Sequence, residues 1–288
     1  MRILFVSAGK GADYQCDLAF HGLRSLFGPD VVDVHRLAYM YKGCDTSELY
    51  GRGFSLYALI EEGQVDRDDI LAKVKNKFYD LVVFGSIQRE YNFLATVSEY
   101  YPPNKIFLID GEDDPSIRTW FLGKGIYAKR ELYNTHPQVV PISFAIPEEK
   151  IQPLSDKTRL MAYIDPCDTR TYIYQDEASY YAGYSDSMFG RTMKKAGWQC
   201  LRHFELMACN CIPYFLNIEL CPEPIMTELP KEDLIFAARI LEYRGMKVFE
   251  TPAGHQLWFD LNERIQKVLK EKLTTKALAT YILDKVAA

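Results

Sequence analysis

Arg2-Ile3-Leu4-Phe5-Val6-Ser7 runs into Ala8-Gly9-Lys10-Gly11-Ala12, and from Asp13 to Phe27 the chain takes a helical pattern with Leu18, His21 or Gly22, and Leu26 near one face. Gly28-Pro29 ends that pattern, and Val31–His35 reads as the next strand. Strand, glycine loop, helix, strand is the opening of a βαβ unit. The grammar returns: Ile70–Phe78 predicts a helix, Asp80–Gly85 a buried strand, Tyr91–Tyr101 a helix stopped by Pro102-Pro103, and Lys105–Asp110 a strand ending in acid. Strands that are apolar along their whole length are covered on both faces, so the first half predicts an open, mostly parallel α/β sheet.

Pro137–Pro153 is rich in proline and short on helical period, which places a domain boundary near residue 150. The second half restarts with Leu160–Ile164 as a strand. Asp176–Lys195 predicts a helix carrying Tyr181, Tyr184 and Met188, Trp198–Ala208 a shorter helix, and Cys211–Leu216 a strand. Leu234–Tyr243 reads as helix, Met246–Glu250 as strand and Leu257–Val286 as helix. The expected fold class is α/β, with two units in tandem, 1–150 and 151–288, and a crevice between them.

The 288 residues are 48% hydrophobic and 25% charged, which excludes a disulfide-stapled miniprotein, a disordered tail and a collagen-like chain. The net charge of −5 argues against a surface built mainly to grip nucleic acid, although a local basic patch is compatible with it. Seven cysteines, an odd count in a large chain, are the usage of a reduced compartment and predict a cytoplasmic protein. Cys209-Asn210-Cys211 lacks a partner pair at zinc-ribbon spacing; with His203 and Cys221 it is read as small buried hydrophobes in preference to a metal site. No apolar run reaches the ~20 residues of a membrane span.

In such sheets ligands sit at the carboxyl ends of the strands, and three places there are polar. Gly9 and Gly11 let backbone approach a ligand at the start of the first helix, but the loop matches neither the dinucleotide register nor a Walker loop. Asp110-Gly111-Glu112-Asp113-Asp114 offers oxygen ligands or a general base. Its plainer reading is an acidic turn with Asp114 as N-cap of a helix opening at Pro115. The third place is richest. Arg191, Lys194 and Lys195 run into the glycine turn Ala196-Gly197 and a helix start, where free N–H groups favour phosphate. Arg202 and Glu205, three apart, share a helix face about 4.5 Å apart along the axis. A cation for a diphosphate and a carboxylate one turn on for a ribose diol would suit a nucleotide-sugar; an exposed ion pair fits the spacing equally well.

The stretch from Tyr184 to Phe215, ending Arg202-His203-Phe204-Glu205-Leu206-Met207-Ala208-Cys209-Asn210-Cys211-Ile212-Pro213-Tyr214-Phe215, resembles the donor-binding segment of GT-B glycosyltransferases, in particular exostosin-like and spore-maturation (CgeB-like) members. Ser187, Phe189, Gly197, Arg202, Glu205 and Cys211-Ile212-Pro213 carry the likeness, and Met1–Phe27 resembles the first βα unit of such enzymes. Asn210 stands where the family has a glycine, and the second half is short for the fold. The resemblance implies two tandem Rossmann-like domains facing a central crevice. The first would take the acceptor and the second a nucleoside diphosphate sugar, with the C-terminal helix crossing back to the first. It implies Glu205 on the ribose and Arg202 with Lys194 or Lys195 on the diphosphate, with no metal and no cofactor. His203 is placed to touch the phosphates or to pack as a core residue, and Asp168 and Arg170 to reach the donor.

An inverting enzyme needs a base on the acceptor hydroxyl; Asp13 and Asp113 are the candidates, and His21 is read as packed. Tyr39-Met40-Tyr41-Lys42 with Tyr50-Gly51-Arg52-Gly53-Phe54 forms an aromatic loop region, read as loop packing or as an acceptor platform. The acceptor, a glycan, a protein or another small molecule, is not specified. A nucleic-acid-modifying glycosyltransferase and a catalytically silent nucleotide-binding protein of Rossmann type are the rival readings.

Overall fold

The computed structural model describes Met1 to Ala288. In chain order the elements are β1 (Ile3–Val6), α1 (Tyr14–Phe27), β2 (Val31–Asp33), α2 (Ile70–Lys75), β3 (Leu81–Phe84), α3 (Asn92–Tyr100), β4 (Ile106–Asp110), β5 (Ile126–Lys129), β6 (Val139–Pro141), β7 (Arg159–Met161), α4 (Glu177–Ser185), β8 (Ser187–Met193), α5 (Leu201–Ala208), β9 (Ile212–Leu216), α6 (Lys231–Arg244), α7 (Pro252–Lys272) and α8 (Thr275–Ala287). They divide into two units: Met1–Pro147 with Pro222–Thr227 and Thr275–Ala288, and Glu148–Cys221 with Glu228–Thr274.

The first unit is built on a six-stranded sheet, order β2-β1-β3-β4-β5-β6, parallel at every pairing. The residues of β1, β3 and β4 are all buried, as strands covered on both faces must be. Leu4, Val6, Val82, Phe84, Ile106 and Leu108 join Leu94 and Val97 of α3 in one core. Each fully buried side chain of this kind contributes about 1.5–3 kcal/mol. On α1, Gly22 admits α8: a Cβ there would stand 1.9 Å from Thr275 O. Tyr281 of α8 donates to Pro141 O (2.5 Å), and Thr275 N–H to Ile146 O (2.9 Å). The strand order reverses between β1 and β3, so the loops after these strands flank the switch point at which such sheets hold ligands.

The second unit has a three-stranded parallel sheet, β7-β8-β9. Both sheets are compatible with Rossmann-like folds. No helix is long and apolar enough to cross a membrane.

Three readings of local structure are corrected, and two strands are added. The helix expected over Asp176–Lys195 ends at Ser185, and Ser187–Met193 is the central strand. Gly190 lets this strand pack closely on α5: a Cβ on it would lie 2.2 Å from Cδ2 of the buried Leu206. Met246–Glu250 is a 3-10 turn instead of a strand; Val248 O accepts the Thr251 hydroxyl that caps α7 and so serves no sheet ladder. No helix opens at Pro115, because Asp114 turns its carboxylate onto the Ser116 N–H (2.9 Å) and hydroxyl (2.7 Å). Strands β5 and β6 were not predicted, being three or four residues each.

Candidate functional site

At the carboxyl end of the second unit's sheet the chain leaves β8 and turns back, the Lys195 N–H donating to Gly197 O (3.0 Å). Lys195 Nζ reaches the loop after β7 and donates to Pro166 O (2.7 Å). Lys194 lies beside Trp198, its Nζ 5.9 Å from the ring centroid. Arg191 is paired with Asp165 (2.5 Å). Arg170 forks onto Asp168 through two 2.8 Å bonds and is 89% exposed.

Helix α5 follows Cys200, which makes no side-chain capping bond. Arg202, in its first turn, meets a tyrosine where the spacing offered a carboxylate. Nη1 donates to Tyr172 Oη (3.1 Å), the guanidinium lies 4.9 Å over the same ring, and Nε is buried with no partner. Glu205, one turn on and buried, accepts from Tyr180 Oη at 2.5 Å. Neither residue is used in an ion pair with the other. Burial, and then the Glu205 carboxylate, hold the Tyr180 phenol well above its ordinary value, so it stays a donor. Tyr174 and Tyr184 pack on Tyr180, with ring centroids 6.2 and 4.8 Å away. Tyr172 and Tyr180 were missed in the sequence, where their tyrosine-rich run reads only as a helix face.

His203 is a packed residue. It has no exposed surface; Nδ1 sits 2.7 Å from Thr192 Oγ1, Nε2 3.0 Å from Trp198 O, and the ring 4.3 Å from that of Phe215. Burial pushes its imidazole down to about 4. With both nitrogens engaged it ties β8 to the loop before α5. Cys209 and Cys211 are buried free thiols.

In the first unit, Asp13 is the N-cap of α1, accepting the Cys16 N–H at 3.3 Å. Its other oxygen lies 3.4 Å from Arg89 Nε, which also donates to Glu112 (2.9 Å). Gly9 and Gly11 both take positive φ (66° and 71°), and a Cβ on Gly9 would stand 2.5 Å from His35 Cβ. Asp113 is engaged by Arg130, whose Nε also holds Gly111 O (2.8 Å). Asp110 is wholly buried on Lys129 Nζ (2.9 Å), Tyr127 Oη (2.6 Å) and Gln88 Nε2 (2.9 Å). Asp17 is buried too, accepting from Tyr39 Oη (3.2 Å), Tyr57 Oη (3.0 Å) and the Asp13 N–H (2.8 Å). Burial, then the neighbouring Asp13, push its carboxyl up to about 8. Of the two base candidates, Asp13 thus stands at the switch point and Asp113 is tied to Arg130. Arg89 gave no sequence signal; only the strand order identifies the loop after β3 as a switch-point loop.

No protein-family model matches this chain, and no curated protein matches it significantly.

Proposed function

We propose that this protein is a glycosyltransferase of the GT-B kind, its two units being tandem Rossmann-like domains, which moves a sugar from a nucleoside diphosphate sugar to an acceptor hydroxyl. The observation that carries the reading is Arg202 in the first turn of α5: stacked on Tyr172, with a buried Nε that has no partner, beside Glu205 one turn on. A guanidinium without a carboxylate partner at a helix start is a diphosphate acceptor, and side-chain cations there would take the leaving-group charge without a metal. Glu205 would accept from the ribose hydroxyls, with Tyr180 fixing its orientation. Lys194, on the loop between β8 and α5, would supply a second cation. The odd count of seven cysteines supports a cytoplasmic setting.

Calorimetric titration with UDP, GDP, ADP, CMP and dTDP tests it. One nucleotide should bind in the micromolar range. Arg202→Ala should weaken it by about 10–100-fold, the loss of a charged hydrogen bond, and Glu205→Gln should weaken it less. No binding by folded wild type would sink the assignment.

A further inference from the structure

Between β4 and β5 the chain crosses over without a helix: the 3-10 turn Thr119–Phe121 is the one regular element in residues 111–125. Parallel strands are usually joined through a helix that covers the sheet. Here the thinner crossover leaves a cavity of about 250 Å³ beside α3. Its floor is apolar, formed by Leu94 and Tyr101, which are 1% and 4% exposed. The Tyr101 hydroxyl is engaged by the scaffold, accepting the Tyr79 N–H at 3.1 Å. The mouth is open: Ala95 and Ser98 of α3 are exposed, as is Trp120, and a Cβ built on Gly123 would meet nothing within 4 Å. One charge lines the cavity. Lys124 makes no ion pair, and its Nζ rests 3.3 Å from the centroid of the Trp120 ring.

We infer that this cavity binds a small aromatic carboxylate. Its volume falls below the ~300 Å³ at which sites for drug-sized ligands begin, and so suits a molecule of one or two rings. Small side chains of α3 and the Trp120 indole bound it, a slot that a flat ring fills with dispersion contact and ring stacking. A single lysine, with no acid among the lining residues, attracts a carboxylate and repels an amine. The lysine is already held on the indole, so it loses little freedom when the anion arrives. None of these residues belongs to the donor or acceptor reading, so the site stands whether or not the protein is a transferase.

The test is heteronuclear NMR of the full chain, following the three indole N–H signals during titration with indoleacetate, phenylacetate, tryptamine and hexanoate. The two aromatic carboxylates should bind with a Kd of about 0.1–1 mM. They should shift Trp120 and leave Trp198 and Trp258, both buried, in place. Tryptamine and hexanoate should bind at least ~10-fold more weakly. Lys124→Met should weaken indoleacetate about tenfold and erase its advantage over tryptamine. Ala95→Phe, at an exposed helical position, should fill the slot and abolish binding. An unmoved Trp120 in folded wild type, tryptamine or hexanoate binding as tightly as the aromatic carboxylates, or undiminished binding in either variant would overturn the inference.

Discussion

The two parallel sheets put charge to different uses at their carboxyl ends. In the first unit Asp110 and Lys129 cancel in a fully buried pair, and Asp113 is engaged by Arg130. In the second, Arg202 has a tyrosine face and a phenol oxygen but no carboxylate. A buried charge already matched by the protein organises the scaffold and has little left for a ligand. A guanidinium without an anion keeps its attraction for one. A charged motif at a strand end therefore has to be judged by what else in the fold neutralises it.

The harshest way to break this contrast is Lys129→Met, which strands Asp110 in the core. It should cost about 3–5 kcal/mol in urea unfolding, and adding Asp110→Leu should recover part of the loss. Arg202→Ala, by contrast, should leave unfolding little changed while weakening nucleotide binding by about 10–100-fold. If the two variants lost similar stability, the distinction between scaffold charge and ligand charge would fail. Next comes Gly22→Ala. Alanine favours a helix by about 1 kcal/mol, but the methyl would meet Thr275 O at 1.9 Å. Overpacking should win, with a net loss of about 1–3 kcal/mol and faster hydrogen exchange in α8.

The pH responses of the two units should have opposite signs. Burial pushes His203 down to about 4 in the fold against 6.5 for a free histidine, so its contribution is present above pH 6.5 and is lost as pH falls through 4. Asp17 titrates at about 8 against 3.8, so its contribution is present below pH 4 and is lost as pH rises through 8. Hydrogen exchange read by peptide should show acid loosening β8 and the start of α5, and base loosening α1 with the tyrosine loop. Asp17→Asn should flatten the alkaline limb alone. The smallest effect expected is that of Arg170→Ala: its only carboxylate partner is two residues away and the arginine itself is largely exposed, so neither the melting temperature nor nucleotide affinity should move.

Much of the first unit is legible in sequence. β1, β3 and β4 are continuous apolar runs closed by glycine or acid, and α1 begins at a capping Asp13 and ends at Gly28, which takes a positive φ of 56°. The second unit is harder to read because its decisive features are pairings. Tyr181 and Tyr184 do lie on a helix, and their period extends naturally to Met188, yet Met188 belongs to a strand. The candidate site divides in the same way. Arg202 and Glu205 were found from their spacing, but their partners Tyr172 and Tyr180 come from 30 and 25 residues away.

By itself the sequence determined the α/β class, the glycine-loop opening and the residues that carry charge near strand ends, since these follow from local periodicity, caps and burial. Only the tertiary structure decided which charges are neutralised, that Ser187–Met193 is a strand, and that Arg89 stands at the switch point. The physical reason is common to all three. Strand pairing and charge pairing are interactions between residues far apart in the chain, so no local pattern encodes which partners will meet.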